Sequence, residues 1–202
     1  MKDAPLSDPS QQASVPPSGG SGWSASSLIY ALLVALLLVA AMFAGVRDAK
    51  VRALLEEGTS APDFAFEKHA EPGRVVELRD FAGKVVMLDF WATWCPPCVK
   101  EMPMLVEVAQ AYQDRGVVLV AASDDEVSER PAAVGVFIET KVKGLLPHAY
   151  YASPIALRRY LVQSLPTLYI IGRDGKIVAA RSGLAAEWEV RRWLDMALQQ
   201  KK

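Results

Sequence analysis

The two cysteines of this 202-residue chain both sit in one pentapeptide, Trp94-Cys95-Pro96-Pro97-Cys98. Directly before them runs Val85–Trp91, Val-Val-Met-Leu-Asp-Phe-Trp. This nearly unbroken apolar run, β-branched and aromatic at its ends, has the pattern of a central strand covered on both faces. Directly after them, Met102, Leu105, Ala109 and Tyr112 recur three and four positions apart, one face of a helix from Cys95 to about Gln113. The cysteines therefore mark the junction of a strand and a helix. Two residues between cysteines at a helix start put their Cα atoms within the ~4.4–6.8 Å that a disulfide requires. So few cysteines exclude a disulfide-stapled scaffold and an all-cysteine zinc site, which needs four ligands.

At a helix N-terminus, Cys95 faces unpaired backbone N–H groups and the positive end of the helix dipole, and both favour thiolate over thiol. Cys98 lies one turn further in. Cys95 is thus expected to attack and Cys98 to resolve a mixed disulfide. Pro96 and Pro97 suit the first helical positions. They also remove two donors, leaving the Cys98 N–H as the nearest to Cys95, so the thiol pKa should be moderately lowered. Two buried structural cysteines, or half of a shared metal site, are the competing readings.

The rest of the region 61–202 supplies an α/β frame. Gly116 lies just past the helix and can take a left-handed cap. Val117–Ala121 reads as a second strand, and Thr167–Ile171, Gly172-Arg173-Asp174-Gly175 and Lys176–Arg181 read as a hairpin. A closing helix over Ala185–Gln200 turns Val190, Trp193, Leu194 and Ala197 inward. Helical pieces and a loop are expected between Asp124 and Gln163. The order strand, helix, strand, hairpin, helix predicts an α/β sandwich with one mixed sheet. The 51% hydrophobic content can fill such a core, and a net charge of −1 recommends no nucleic-acid partner.

The N-terminal part differs. Residues 4–27 hold eight Ser, four Pro and three Gly with little to bury, so 1–27 is expected to be a disordered tail. Leu28–Val46 is nineteen residues without a charge. As a helix it reaches ~28 Å, close to the ~30 Å hydrocarbon thickness of a bilayer, which predicts a transmembrane anchor over 28–46. Its length and poor cleavage site argue against a signal peptide. A short linker, 47–60, follows. Arg47, Lys50 and Arg52 would by the positive-inside rule alone hold the C-terminal region in the cytoplasm.

From Gly58 onward the chain resembles the thioredoxin family, specifically its membrane-anchored TlpA/ResA-like branch of extracytoplasmic thiol–disulfide oxidoreductases. The resemblance rests on Gly58-Thr59-Ser60-Ala61-Pro62-Asp63-Phe64, Phe81-Ala82-Gly83-Lys84, Asp89-Phe90-Trp91-Ala92-Thr93-Trp94-Cys95-Pro96-Pro97-Cys98, Glu101-Met102-Pro103, Leu165-Pro166-Thr167 and Asp174-Gly175-Lys176. It implies the thioredoxin fold, a central mixed sheet flanked by helices with the dithiol at the start of the first long helix. It implies that Cys95 and Cys98 form the redox-active disulfide, and that Pro166 is the cis-proline facing it, with Leu165 and Thr167 beside it helping to hold a client chain. Glu101 matches a glutamate that tunes the thiols, and Pro103 a proline that kinks the helix. Asp89, the one charge in its strand, should be buried with a raised pKa, a candidate proton acceptor for Cys98; a purely structural role is the alternative. It matches the buried aspartate of thioredoxin, but the neighbouring strand offers no lysine to partner it.

Trp94 should border the dithiol as a docking platform or as packing, Trp91 should be core, and His69 and His148 should lie at the surface. The resemblance implies no cofactor and no metal, a disulfide-bearing client protein, in this branch often apocytochrome c or a copper-site assembly protein, and a membrane electron donor. It also implies an extracytoplasmic domain, periplasmic if the cell has a periplasm, on the cytoplasmic (inner) membrane. That conflicts with the three charges after the span, and the outer side is the expectation adopted, because a large C-terminal domain translocates largely regardless of charge. Two other activities compete. A redoxin-type peroxidase shares Ala61-Pro62-Asp63-Phe64 but needs Pro-x-x-x-Thr/Ser-x-x-Cys, where this chain has Leu88 and Ala92. A copper-binding metallochaperone would use the thiolates as soft ligands.

Overall fold

In a computed structural model of the chain, the residues described are 25–51, 54–126, 128, 130–146 and 148–200. They divide at Val46/Arg47 into two units. The first consists of most of helix α1, Ala25–Val51. Its described side chains are exposed, and those of Ile29–Met42 are all hydrophobic, with no polar stripe. Among the described residues no helix is long and apolar enough to cross a membrane; the side chains of residues 43–51 are not among them. The tail through Ser24 lies outside the described residues, while Ala25–Ser27, assigned to it by composition, form the first turn of α1.

The second unit is built on the strand that the apolar run predicts. Strand β3, Val85–Trp91, is buried along its whole length because it is covered on both faces. It pairs in parallel with β4, Val117–Ser123, and antiparallel with β6, Thr167–Ile171. The other strands are β1, Ala65–Lys68, β2, Val75–Glu77, β5, Ala149–Tyr151, and β7, Ile177–Ser182. Together they form one mixed sheet in the order β2-β1-β5-β4-β3-β6-β7. Helices α2, Pro96–Tyr112, α3, Arg130–Lys141, α4, Pro154–Arg159, and α5, Glu187–Gln199, complete the unit.

Strand alternation sorts β3 between two cores. Val85, Met87 and Trp91 pack with Met102, Leu105 and Leu194 of α2 and α5. Val86, Leu88 and Phe90 point the other way, toward Phe66, Tyr150, Tyr160 and Tyr169. By the same alternation Asp89, between Met87 and Trp91, is on the α2 side. At the far end of α2 a 3-10 turn, Gln113–Arg115, leads to Gly116 at φ 86°, the left-handed cap that only glycine adopts at little cost.

The structure departs from the sequence reading in three places. The stretch 124–163 contains β5 as well as helical pieces. Residues 54–60, read as linker, belong to the domain: Leu54 and Leu55 pack against the second core, and Gly58 N–H donates to the Ile177 carbonyl at 2.8 Å. His69 and His148 are half-buried rather than at the surface, with Nδ1 at 2.6 Å from the Tyr151 hydroxyl and 3.2 Å from that of Tyr150. Desolvation lowers both imidazole pKa values, so both rings stay neutral at neutral pH.

Candidate active site

Strand β3 delivers the chain to the dithiol and α2 carries it away. Cys95 is the N-cap of α2, with extended backbone at φ −96° and ψ 102°, and Pro96 and Pro97 open the first turn. Its carbonyl accepts the first helical bond from Val99 N–H at 3.1 Å. Cys95 and Cys98 are joined as a disulfide with a Cα–Cα separation of 5.3 Å, inside the range the spacing predicts. Cys98 N–H donates to Cys95 Sγ at 3.3 Å, so the one nearby donor left by the prolines is aimed at the outer sulfur. Cys95 is 4% exposed and Cys98 1%, the order expected of attacking and resolving thiols.

The turn before Cys95 is pinned by a group the sequence reading missed. The buried Asp125 carboxylate accepts Thr93 N–H at 3.1 Å and Thr93 Oγ1 and Ser123 Oγ at 2.5 Å each. Asp124 N–H donates to the Trp91 carbonyl at 2.8 Å. These bonds tie the end of β4 to the strand–helix junction. The only local signal was two acidic residues following a strand.

Across the dithiol lies the turn entering β6, where the Leu165–Pro166 peptide is cis. Leu165 and Ser164 share a groove of about 470 Å³ with Trp94, Cys95, Pro96, Pro97, Leu157 and Val162. Trp94 is 61% exposed at the rim of this groove, whereas Trp91 is fully buried with its ring 4.6 Å from that of Phe137. Thr167 does not present a docking side chain. It is fully buried and its hydroxyl donates to the Ser164 carbonyl at 2.7 Å, so it shapes the turn from within.

Behind the disulfide are two buried carboxyl groups. Asp89 Oδ1 has no hydrogen-bond partner among the described residues. Burial, and after it the Glu101 charge, raises the Asp89 pKa well above the usual carboxylate range. Glu101, one turn beyond Cys98, accepts Ala185 N–H on Oε1 at 2.6 Å, while its Oε2 has no partner among the described residues. Burial raises its pKa too, against the opposing effects of the Ala185 bond and of Arg181. Asp89 and Glu101 thus lie on the face of the sheet that carries the dithiol, and burial favours the protonated form of both. Among the described residues no three of His, Cys, Asp and Glu gather in a way that could hold a metal ion.

The geometry therefore presents an oxidised dithiol at a helix N-terminus, facing a cis-proline turn, with carboxyls behind it. The redoxin family matches residues 56–187. The thiol-disulfide oxidoreductase ResA of Bacillus thuringiensis subsp. konkukian (strain 97-27) is 34% identical over 140 residues, 69% of this chain and 78% of that protein. ResA of Bacillus subtilis (strain 168) is 32% identical over 156 residues, 77% of this chain and 80% of that protein. Among solved structures, a thiol:disulfide interchange protein DsbE from Chlorobium tepidum superposes with a TM-score of 0.60 at 29% identity, covering 71% of this chain and 99% of that one. The thioredoxin domain of a thiol-disulfide oxidoreductase from Bacteroides vulgatus gives 0.61 at 26% identity, covering 71% and 99%. With its dithiol in place and these relatives across the whole domain, the chain belongs to the redoxin family of thioredoxin fold, as a ResA/TlpA-like thiol–disulfide oxidoreductase.

Proposed function

We propose that this oxidoreductase is anchored in the cytoplasmic membrane by residues 28–46, holds its dithiol domain on the extracytoplasmic side, and reduces disulfides of client proteins there. The observation that carries the catalytic part is the position of Cys95, capping α2 with its sulfur receiving the Cys98 N–H. In the reduced enzyme the same donor and the helix dipole stabilise a thiolate at Cys95. The thiolate attacks one sulfur of a client disulfide, the S–S bond breaks, and its electron pair leaves on the second client sulfur. The Asp89 carboxylate behind the disulfide then takes the Cys98 proton; burial first, and the Glu101 charge after it, raise its affinity for that proton. Cys98 attacks Cys95 Sγ, expelling the client's first sulfur as a thiolate and closing the Cys95–Cys98 disulfide. The client leaves with two thiols, and a membrane electron-donor protein returns two electrons to the enzyme.

The groove holding Trp94 and Leu165 supports docking of an extended client segment beside Cys95. The names of the ResA relatives support the exchange chemistry, and a role in cytochrome c biogenesis is the client class that the family resemblance implies. The nineteen uncharged residues of Leu28–Val46 support the anchor. Cys98→Ser should accumulate client mixed disulfides through Cys95, resolved on non-reducing gels, and Cys95→Ser should accumulate none. Trapping through Cys98 instead would overturn the assignment. A reporter fused after Lys202 that is active only in the cytoplasm would overturn the outer placement.

A further inference from the structure

A second cavity, of about 700 Å³, lies along the outer edge of β7, lined by residues 54–57 on one side and by Ala180, Arg181, Ser182 and Leu184 on the other. Strand register places it at the dithiol end of the sheet. β7 runs antiparallel to β6 with Ser182 opposite Thr167, and Gly183 N–H donates to the Pro166 carbonyl at 2.8 Å. Ser164 lines the dithiol groove and Ser182 lines the cavity, and their hydroxyl oxygens are 2.8 Å apart. The two hollows therefore meet across one hydroxyl pair beside the cis-proline turn.

The cavity has the features of a place for an extended chain. β7 ends the sheet, and among the described residues only its start is covered, by Gly58 N–H to the Ile177 carbonyl at 2.8 Å and Ile177 N–H to the Thr59 carbonyl at 2.9 Å. Beyond that pairing, no strand among the described residues covers Ala180–Ser182, and an uncovered edge is where a further strand adds. Leu54, Leu55 and the 44%-exposed Leu184 supply an apolar floor. Among the described lining residues, two carboxyl groups meet one guanidinium. Glu56 and Glu57 are exposed and in no ion pair among the described residues, while Arg181 is engaged by Glu189 Oε2 and the Leu184 carbonyl, each at 3.3 Å.

We propose that this cavity is a second docking subsite, which receives the part of an extended client segment running on from the reacting cysteine across Ser164 and Ser182. It seats an apolar side chain on Leu54, Leu55 and Leu184 and a lysine or arginine against Glu56 and Glu57. The proposal rests on the thiol–disulfide exchange reading of Cys95 and Cys98. It makes the edge of β7 a determinant of which disulfides the enzyme selects, separate from the groove that holds the reacting bond.

The test uses the full chain, reduced and held in detergent micelles, with disulfide-bearing peptides that place Leu-Lys, Leu-Glu or Ser-Ser at varied distances on either side of the reacting cysteine. Exposed ion pairs are worth about 0.2–1 kcal/mol each, so two carboxylates should give the best Leu-Lys peptide a KM roughly 5-fold below its Leu-Glu counterpart at low salt, with the gap closing at high salt. The double variant Glu56→Lys/Glu57→Lys should reverse the order, favouring Leu-Glu. Equal KM values for all peptides in the unmodified enzyme, or the same preference in the variant, would overturn the subsite while leaving exchange at Cys95 standing. Concentration-dependent self-association that the variant abolishes, with no peptide preference, would assign the cavity to a second copy of the chain and overturn it as well. Reaction with none of the peptides would instead sink the exchange reading, and the subsite with it.

Discussion

Asp89→Asn isolates the carboxyl that the fold buries behind its disulfide. The wild-type side chain is 1% exposed with Oδ1 unpartnered, and burial first, then Glu101, holds its pKa well above the usual range. In the unfolded chain the group titrates near pH 3.9. The folded state therefore holds the proton more tightly. The stability this contributes is complete below a pH of about 4 and is lost as pH rises through the folded pKa. Asparagine cannot ionise, so the variant should gain on the wild type across that window. Each unit between the two pKa values is worth ~1.4 kcal/mol. An unsatisfied buried polar group costs about 1–3 kcal/mol and a charged one more, so the gain at pH 8 over pH 4 should reach at least that range. Urea unfolding of the oxidised Arg47–Lys202 unit, in which neither cysteine titrates, would read it as a midpoint shift of roughly 1 M, since m is ~1–3 kcal/mol/M. Any constant offset reports the asparagine amide; growth with pH is the diagnostic. Parallel curves for the two proteins from pH 4 to pH 8 would refute a raised Asp89 pKa.

Two further substitutions probe the neighbours of the site. Glu101→Gln keeps an oxygen for the Ala185 N–H but removes the charge that helps to raise Asp89, so the pH window above should move to lower pH. Glu101→Leu leaves that buried N–H unpaired and should cost about 1–3 kcal/mol in the same unfolding assay. Asp125→Ala strips the acceptor from Thr93 N–H, Thr93 Oγ1 and Ser123 Oγ. It should lower stability by roughly 3 kcal/mol or more, read by thermal unfolding, and slow disulfide reduction by loosening the turn before Cys95.

The sequence exposed the elements whose local pattern is long and strong. β3 was legible to the residue because seven consecutive buried positions leave an apolar run broken only by Asp89, and α2 because its face repeats over four turns. β1, β2 and β5 are three or four residues long, too short for alternation to stand out. β5 therefore vanished into a stretch read as helices and loop. At the site, the dithiol, its exposure order and the burial of Asp89 follow from local spacing and from one charge in an apolar strand. The Glu101–Ala185 bond joins residues 84 apart, and the Asp125 clamp depends on β4 ending beside β3; neither leaves a local trace. The burial of the Thr167 side chain left no local trace for a related reason: which face of the cis-proline turn a side chain takes is set by tertiary packing.

The reduction potential of the Cys95–Cys98 couple tests the central claim most directly. Equilibrated against dithiothreitol or glutathione buffers, with Trp94 fluorescence as the readout, the couple should titrate as a two-electron transition below about −230 mV, in the range of a dedicated reductase. A midpoint above about −180 mV would contradict the account, because the enzyme would then donate its disulfide to clients rather than reduce theirs.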